Sequence, residues 1–147
     1  MDRAALERAN YDEEPNSTSS SSARIIIADD HELVRESMRS LLGIEPNLQI
    51  IDEAKDGQET IELTRLQRPD LVLMDVRMPK VNGFEATRTI KEELPTTKVL
   101  IVSAYEDPLL VSEAVRAGAD GYVLKLSLIQ EQLAAISGVL GGESQYP

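Results

Sequence analysis

The sequence lacks several residue types and patterns that would point to particular classes of protein. It contains no cysteine and no tryptophan among its 147 residues, so disulfides and cysteine-bound zinc are excluded. Uninterrupted apolar runs, such as residues 25–28, reach only four residues, which is far too short for a transmembrane helix. The N-terminus has no cationic segment followed by an apolar one, the pattern of a secretory signal. These absences predict a cytoplasmic protein that does not associate with membranes.

Positive charge is also scarce. The chain has 15 Lys and Arg against 26 Asp and Glu, which gives a net charge of -11. Because a phosphate backbone would be repelled by most of this surface, we expect no nucleic-acid binding by this chain alone. Apolar residues make up 41% and charged residues 28%, which is typical of one globular domain and unlike collagen, coiled-coil or wholly disordered sequences.

The composition divides the chain into three parts. Residues 1–23 are rich in acidic residues and then in Ser and Thr, which predicts a flexible N-terminal tail, with a short helix near Ala4 to Ala9 as an option. Residues 24–142 form the predicted domain. Residues 143–147, which include Glu143, are predicted to be the remnant of a C-terminal linker.

Within the predicted domain, short β-branched segments alternate with stretches of helical period. The strands are predicted at 24–28, 48–54, 69–74, 98–102 and 121–124, and five helices follow them. The first, third and fourth strands are apolar nearly throughout, as parallel strands buried on both faces are. We therefore expect a flavodoxin-like (βα)5 fold, an α/β three-layer sandwich with a parallel sheet in the common order 2-1-3-4-5.

Four of the predicted helices begin with capping signals. In three of them, a short polar residue is followed three positions later by Glu or Gln, the spacing of a capping box. In the fourth, Asp107 precedes Pro108, which suits an N-cap followed by the first helical residue. The three pairs are Asp56 with Glu59, Asn82 with Glu85, and Ser127 with Gln130.

Carboxylates follow two strands that the predicted order makes neighbours. Asp29 and Asp30 follow the first strand and Asp75 follows the third, so all three should meet at one edge of the sheet. Taken singly, each is explained as well by helix capping or turn formation. Two unit charges about 4 Å apart repel by about 4 kcal/mol at an effective dielectric of about 20, so three together need a cation. Oxygen ligands with room for water suit Mg2+.

Two more polar side chains are predicted at the same edge. The fourth strand runs into Ser103 and the fifth into Lys125, which adds a hydroxyl and an ammonium group. A carboxylate, a divalent ion and a lysine at one point can place a phosphoryl group on an aspartate, because that reaction depends on positioning and charge neutralisation. The sequence therefore favours aspartyl phosphorylation.

At these residues the sequence resembles the receiver domain of two-component response regulators. The resemblance covers residues 24–142 and also implies the strand order given above. The matching motifs are Asp29-Asp30, Asp75 in Leu-Met-Asp-Val-Arg-Met-Pro, Ser103-Ala104, and Gly-Ala-Asp-Gly-Tyr-Val-Leu-Lys at 118–125.

The resemblance implies a role for each of the acidic residues. Asp75 would accept phosphate from a sensor histidine kinase. Asp30 and Asp75 would bind Mg2+ directly, together with the backbone carbonyl of Arg77, and Asp29 would act mainly through a water molecule. Such a domain is not an enzyme, apart from catalysing its own phosphoryl transfer and dephosphorylation.

The resemblance also implies a switch. Lys125 would pair first with Asp75 and then with a phosphoryl oxygen, while Ser103 would bond another of those oxygens. Tyr122, the switch aromatic, would then fill the space that Ser103 vacates. Without the motif, Tyr122 would equally be an ordinary half-buried strand aromatic. The three consecutive apolar residues 109–111 cannot all face the sheet, so we expect a partner or a second copy of the chain to cover them.

Three features resemble one subclass of receivers. Leu126, where many receivers have proline, and the motifs at 30–35 and 122–125 are similar to receivers that precede a LuxR/NarL-type helix-turn-helix domain. The resemblance implies transcriptional regulation through a C-terminal DNA-binding domain that is absent from this sequence. The alternative is a stand-alone receiver that acts through protein–protein contacts.

Two alternative functions, and a chemical role for the histidine, fit the residues less well. A haloacid-dehalogenase-like phosphatase would have a second aspartate two residues after Asp75, where this chain has Arg77. A flavodoxin-like electron carrier would have a phosphate-binding loop in place of the two aspartates after strand 1. His31, the one histidine, is expected to be a solvated residue at a helix start rather than a ligand or a phosphate relay.

Overall fold

The fold is described from a computed structural model, which covers residues 22–147. The predicted tail, including the optional helix, lies outside the described residues except for its last two positions. Ala23 is already the first residue of β1 (Ala23–Ala28). β1 therefore starts one residue earlier than predicted.

Five parallel strands form a single sheet in the order β2-β1-β3-β4-β5, which confirms the predicted topology. The remaining strands are β2 (Leu48–Ala54), β3 (Leu71–Met74), β4 (Lys98–Ser103) and β5 (Gly121–Leu124). β3 starts two residues later than predicted and β4 ends one residue later. The late end of β4 makes Ser103 part of the strand rather than of the following loop.

Within residues 22–147, five helices cover the two faces of the sheet, as predicted. They are α1 (Glu32–Leu42), α2 (Gly57–Gln67), α3 (Gly83–Glu93), α4 (Pro108–Ala117) and α5 (Ile129–Leu140). One apolar cluster lies between the sheet and α2, α3 and α4, and a second lies between the sheet and α1 and α5. Along residues 22–147, none of the helices is both long enough and apolar enough to cross a membrane.

The predicted caps are found at three helices. Asp56 accepts a hydrogen bond from the backbone N–H of Glu59 at 2.7 Å. Asn82 and Glu85 form a complete capping box, and Asp107 accepts from the N–H of Leu109 at 2.8 Å. Each side chain thus satisfies one of the free N–H groups of a helix start.

The fourth predicted cap is wrong. α5 begins at Ile129 with Leu128 in the N-cap position, so Ser127 lies outside the helix. The reason is a turn: the N–H of Ser127 donates to the carbonyl of Leu124 at 3.1 Å. The carboxylate of Glu131 accepts from the N–H of Leu128 at 3.3 Å instead.

One buried hydroxyl on α2 carries a stability prediction. Thr64 is fully buried and its Oγ1 has no hydrogen-bond partner within residues 22–147. Because an unpaired buried hydroxyl costs desolvation energy, Thr64→Val should raise the free energy of unfolding by about 1 kcal/mol. Thr60, equally buried on the same helix, donates to the carbonyl of Asp56 at 2.7 Å, so Thr60→Val should lower it by about 1 kcal/mol. Urea denaturation measures both, and destabilisation by both substitutions would contradict the prediction.

Two residues of the predicted linker remnant contact the rest of the domain. Gln145 forms a parallel bridge with Gly121 of β5, and the Tyr146 hydroxyl donates to the carbonyl of Ala119. Residues 145 and 146 therefore pack on the folded domain.

Candidate functional site

The sheet places two buried carboxylates side by side. Ala28 and Met74, the last residues of β1 and β3, are paired in register, so Asp29 and Asp75 leave the sheet at the same level. The N–H of Asp75 donates to the carbonyl of Ala28 at 2.9 Å, which fixes the start of the loop after β3. Asp75 is only 6% exposed and Asp29 is also buried.

The three predicted carboxylates come together at this edge. Asp29, Asp30, His31 and Asp75 each offer one ligand atom, and these atoms all lie within 4.8 Å of one another. Asp30 is exposed, so the group opens toward solvent on its side. We call these four residues the acidic cluster.

Lys125 connects the two buried members of the acidic cluster. Its Nζ lies 2.7 Å from Oδ2 of Asp29 and 3.1 Å from Oδ1 of Asp75. The N–H of Val76 donates to the same Oδ1 at 2.9 Å, so neither bond uses Oδ2 of Asp75. That oxygen is thus left for another ligand.

The crowding changes the protonation of both groups. Burial, and next the charge of Asp29, raise the pKa of Asp75 in spite of the opposing effects of Lys125 and Val76. Burial lowers the pKa of Lys125, but its contacts with Asp29 and Asp75 outweigh burial and leave that pKa above its ordinary value. Lys125 is therefore a firmly charged ammonium at neutral pH, beside a carboxylate that repulsion destabilises.

His31 lies closer to the carboxylates of the acidic cluster than the sequence indicated. Its side chain is 65% exposed, as expected of a solvated residue. Its Nδ1, however, is 3.0 Å from Oδ1 of Asp29 and 3.1 Å from Oδ1 of Asp30, and its backbone N–H donates to Asp29 at 2.9 Å. Asp29 thus has one oxygen bonded to His31 and the other to Lys125.

The loop that carries Lys125 is supported by a residue that the sequence analysis missed. No peptide bond is cis between residues 22 and 147, so Leu126 does not imitate a cis proline. The N–H of Lys125 donates to the carbonyl of Ser103 at 2.8 Å. Nε2 of Gln132, on α5, donates to the carbonyls of Lys125 at 3.1 Å and Ser127 at 3.0 Å. Gln132 lies in the first turns of α5, and no pattern in the sequence indicated that it supports this loop.

We expect Gln132→Ala to loosen this loop and to slow the phosphorylation that the sequence predicts at Asp75. Because two carbonyls lose their donor, Lys125 should sample positions away from the acidic cluster, and the rate should fall by about 10-fold, as misplacement of a positioned group costs. Gln130→Ala is the matched control, since Gln130 is exposed on the same helix. Stopped-flow measurement of phosphorylation by an acyl phosphate checks this; equal rates for the two variants would contradict it.

A second group of polar residues lies at the ends of β4 and β5. Ser103 is buried, and its Oγ accepts from the N–H of Tyr105 at 3.1 Å. Tyr122 is 3% exposed and its hydroxyl donates to the carbonyl of Tyr105. Burial raises the pKa of Tyr122 in spite of an opposing hydrogen bond with Ser103, and Asp107 and Glu106 add smaller upward contributions. Tyr105 therefore links the two predicted switch residues, and the Tyr122 ring points inward.

The loop after Asp75 is shaped by close packing. The N–H of Gly83 donates to the carbonyl of Val76 at 2.8 Å, and a Cβ on Gly83 would lie 2.0 Å from the carbonyl oxygen of Asp75. Only glycine fits there. In the same loop the exposed Arg77 holds its guanidinium 5.4 Å from the centre of the Tyr105 ring, a cation–π arrangement.

Comparison with known proteins identifies the domain. The family model described as the response regulator receiver domain matches residues 25–137. The chain belongs to this family. The match covers the sheet except for the start of β1, and all but the end of α5, so the receiver domain accounts for nearly all of the described residues.

Named relatives indicate the subclass of this receiver domain. It is 46% identical over 124 residues to the transcriptional regulatory protein LnrK of Bacillus subtilis, covering 84% of this chain and 56% of LnrK. It is 42% identical over 102 residues to the transcriptional regulatory protein DegU of Brevibacillus brevis, covering 69% of this chain and 43% of DegU. The chain thus spans about half the length of these curated relatives.

Solved structures indicate the same subclass of receiver domain. A LuxR family two-component response regulator from Aurantimonas sp. SI85-9A1 superposes with a TM-score of 0.81 at 38% identity, covering 85% of this chain and 89% of that one. A LuxR family DNA-binding response regulator from Staphylococcus aureus gives 0.76 at 29% identity, covering 80% and 98%. The resemblance to LuxR/NarL-type receivers is confirmed. It separates the chain from dehalogenase-like phosphatases and flavodoxin-like electron carriers.

The acidic cluster of this receiver domain fits a magnesium ion by its chemistry. Its carboxylate oxygens are the hard donors that Mg2+ prefers, and the exposed side at Asp30 leaves room for the waters that Mg2+ retains. The carboxylates of Asp29, Asp30 and Asp75 outnumber the one nearby ammonium, Lys125. A divalent cation would oppose the effects of burial and, next, of the charge of Asp29, which together raise the pKa of Asp75.

Proposed function

We propose that this receiver domain is phosphorylated on Asp75 by a sensor histidine kinase. The observation that carries the proposal is the position of Lys125 between Asp29 and Asp75, with Oδ2 of Asp75 outside the bonds to Lys125 and Val76. In the reaction, that oxygen attacks the phosphorus of a phosphohistidine. The new P–O bond replaces the P–N bond, and the leaving imidazole takes up a proton.

The residues around Asp75 have separate roles in this reaction. Asp30, Asp75 and the backbone carbonyl of Arg77 would hold Mg2+, which when bound neutralises charge on the phosphoryl oxygens. Asp29 would act through a water, which agrees with the engagement of its two oxygens by His31 and Lys125. Lys125 then moves from the Asp75 carboxylate to a phosphoryl oxygen. The same machinery would hydrolyse the aspartyl phosphate.

Phosphorylation would act on the loops after β4 and β5. The added oxygens are acceptors for Ser103 and Lys125, so they favour the arrangement in which both point toward Asp75. Tyr122 occupies the adjacent space, where its hydroxyl reaches the Tyr105 carbonyl. The inward Tyr122 is therefore the arrangement that phosphorylation should favour.

The output that we propose is regulation of transcription by a C-terminal DNA-binding domain of the whole protein, as the names of its relatives suggest. The net charge of -11 does not favour direct DNA contact by the receiver domain. A homodimer is the second part of this proposal: Leu109 on α4 is 76% exposed, while Leu110 and Val111 pack partly into the apolar cluster. Action as a stand-alone receiver is the alternative.

Phosphoryl uptake from a small acyl phosphate tests the proposed function. With Mg2+ present, intact-protein mass spectrometry should show one added phosphoryl group, and peptide mapping should place it on Asp75. No uptake, or label on another residue, would overturn the assignment.

Metal binding should be visible in thermal stability. Mg2+ at 100 times its Kd should stabilise the domain by about 2.7 kcal/mol through mass action. Asp30→Asn should raise the Tm in EDTA by a few degrees, the shift that about 1 kcal/mol gives in a domain of this size, because it removes one repelling charge. The variant should also lose the response to Mg2+. Differential scanning calorimetry measures these shifts, and an unchanged Tm in all of them would count against a metal site.

A further inference from the structure

Residues that follow α5 return to the edge of the sheet, where Gln145 forms an isolated β-bridge with β5. The N–H of Tyr122 donates to the carbonyl of Gln145 at 2.7 Å, and the N–H of Gln145 donates to the carbonyl of Asp120 at 3.1 Å. Gln145 also pairs in parallel with Gly121. We call residues 144–146 the C-terminal strap. It covers part of the outer edge of β5, which would otherwise be free.

The side chains of the C-terminal strap alternate between the two faces of the sheet, as in a strand. Gln145 packs against Gly138 of α5 on one face. Tyr146 lies on the other face, half-buried against the apolar cluster below α4, with its hydroxyl on the carbonyl of Ala119. Burial, and next the charge of Asp120, raise the pKa of Tyr146 to about 12. The strap is thus anchored on both layers of helices.

Close approach of the strap depends on a glycine in β5. A Cβ on Gly121 would lie 2.7 Å from the carbonyl oxygen of Gln145 and 2.9 Å from Cδ1 of Leu100. A side chain at this position could not coexist with the docked strap. Gly121 is therefore compatible with docking of the C-terminal strap as well as with β5 itself.

Tyr122 connects the strap to the switch region. Its side-chain hydroxyl bonds to Tyr105 in the loop after β4, and its backbone N–H bonds to Gln145 in the strap. Its ring and the ring of Tyr146 also contact the same apolar cluster. If the Tyr122 ring turned outward, the apolar cluster against which Tyr146 packs would lose one of its buried members.

We propose that docking of the C-terminal strap and the inward position of Tyr122 are two parts of one conformational equilibrium. The inference deepens the proposed function and rests on it, since phosphorylation of Asp75 is what would favour the inward Tyr122. Because binding couplings are reciprocal, phosphorylation tightens the strap by the same factor by which the docked strap favours the phosphoryl group. In the proposed whole regulator, the strap lies between the switch and the DNA-binding domain.

Amide hydrogen exchange of the full chain tests the coupling without any substitution. Mg2+ with beryllium fluoride is the phosphoryl mimic. We expect the mimic to slow exchange of the Tyr122 and Gln145 amides by at least about 5-fold, the lower range of allosteric couplings. Amides of β2, at the far side of the sheet, serve as the internal reference and should change less.

Variants test the reciprocal effect. Truncation after Gly142 should weaken binding of the mimic by the same factor by which the mimic slows amide exchange. The milder Tyr146→Ala should also weaken binding of the mimic. Ser144→Ala is the matched control, because Ser144 is exposed in the same segment. In a Tyr122→Ala background the truncation should have no further effect, which a merely structural role of the strap would not produce.

The outcomes separate the inference from the proposed function. If the mimic binds but leaves both amides unchanged, and the truncated chain or Tyr146→Ala binds it as well as the wild type, the inference is overturned while the phosphorylation site stands. If the full chain does not bind the mimic at all, both are overturned. Slower exchange together with weaker binding supports the coupling.

Discussion

Asp75→Asn is expected to abolish uptake of the phosphoryl group from an acyl phosphate. The amide nitrogen of asparagine is not a nucleophile, because its lone pair is delocalised into the carbonyl, so no acyl phosphate can form. The substitution is nearly isosteric. Lys125 also retains its 2.7 Å contact with Asp29, so the ammonium keeps a partner and the fold should be preserved.

The same strand offers a matched control for Asp75→Asn. Asp70 lies just before β3, at the opposite end of the sheet, where its side chain accepts from the backbone N–H of Arg24 at 2.8 Å. Asp70→Asn is the same substitution, and it removes a carboxylate just before β3. It should leave phosphoryl uptake unchanged, as measured by intact mass after a fixed incubation.

Stability distinguishes loss of the nucleophile from loss of the fold. Asp75→Asn removes the carboxylate whose pKa burial and Asp29 raise, so repulsion within the acidic cluster decreases and the Tm in EDTA should not fall by more than a few degrees. Phosphoryl uptake at the wild-type level by a folded Asp75→Asn protein would refute Asp75 as the acceptor.

Lys125→Ala is expected to be the most destabilising single substitution at the site. It leaves Asp29 and Asp75, both buried, without the ammonium that contacts them. Removal of one partner from a buried ion pair costs about 3–5 kcal/mol; because the Lys125 side chain is 17% exposed, we expect about 2–3 kcal/mol here. Urea denaturation at pH 7 measures the free energy of unfolding.

The pH dependence of this contribution has a definite sign. The pKa of Lys125 is raised above its ordinary value of 10.5, so the folded protein binds the proton more tightly than the unfolded chain. Its stabilising effect is therefore fully present at neutral pH. It is lost as the pH rises past 10.5 and through the raised pKa of the folded state.

Two further variants test the cause of the destabilisation. Lys80 lies 3.6 Å from Asp56 and its side chain is 69% exposed, so Lys80→Ala should cost well under about 1 kcal/mol, as surface ion pairs do. Adding Asp29→Asn to Lys125→Ala should restore part of the lost stability, since it removes one uncompensated charge. Equal losses from Lys80→Ala and Lys125→Ala would show that Lys125 acts as an ordinary surface lysine.

Much of the fold could be predicted because its signals are local. The alternation of apolar strands and amphipathic helices follows from side-chain periodicity, which each segment carries by itself. Right-handed crossovers then leave few possible orders, and the order found is the common one. The caps at Asp56, Asn82 and Asp107 were also predictable, since each side chain bonds an N–H two or three residues away.

The wrong prediction of a cap at Ser127 shows that residue spacing alone does not determine where a helix begins. Its spacing to Gln130 matched a capping box as well as the others did. A turn back to Leu124 and the reach of Gln132 to two carbonyls shift the helix start to Ile129. Both contacts depend on where β5 ends relative to α5, which the residue spacing does not contain.

By itself, the sequence determined which chemical groups stand at the carboxyl edge of the sheet, because strand ends and the side chains that follow them are encoded in consecutive residues. The resemblance implied that Lys125 pairs with Asp75, but tertiary structure alone decided that Lys125 also contacts Asp29. It also decided that residues 145 and 146 return to β5. The reason is that distances of 3 Å between residues far apart in the chain depend on the packing of whole strands and helices, and no periodicity or spacing records that packing.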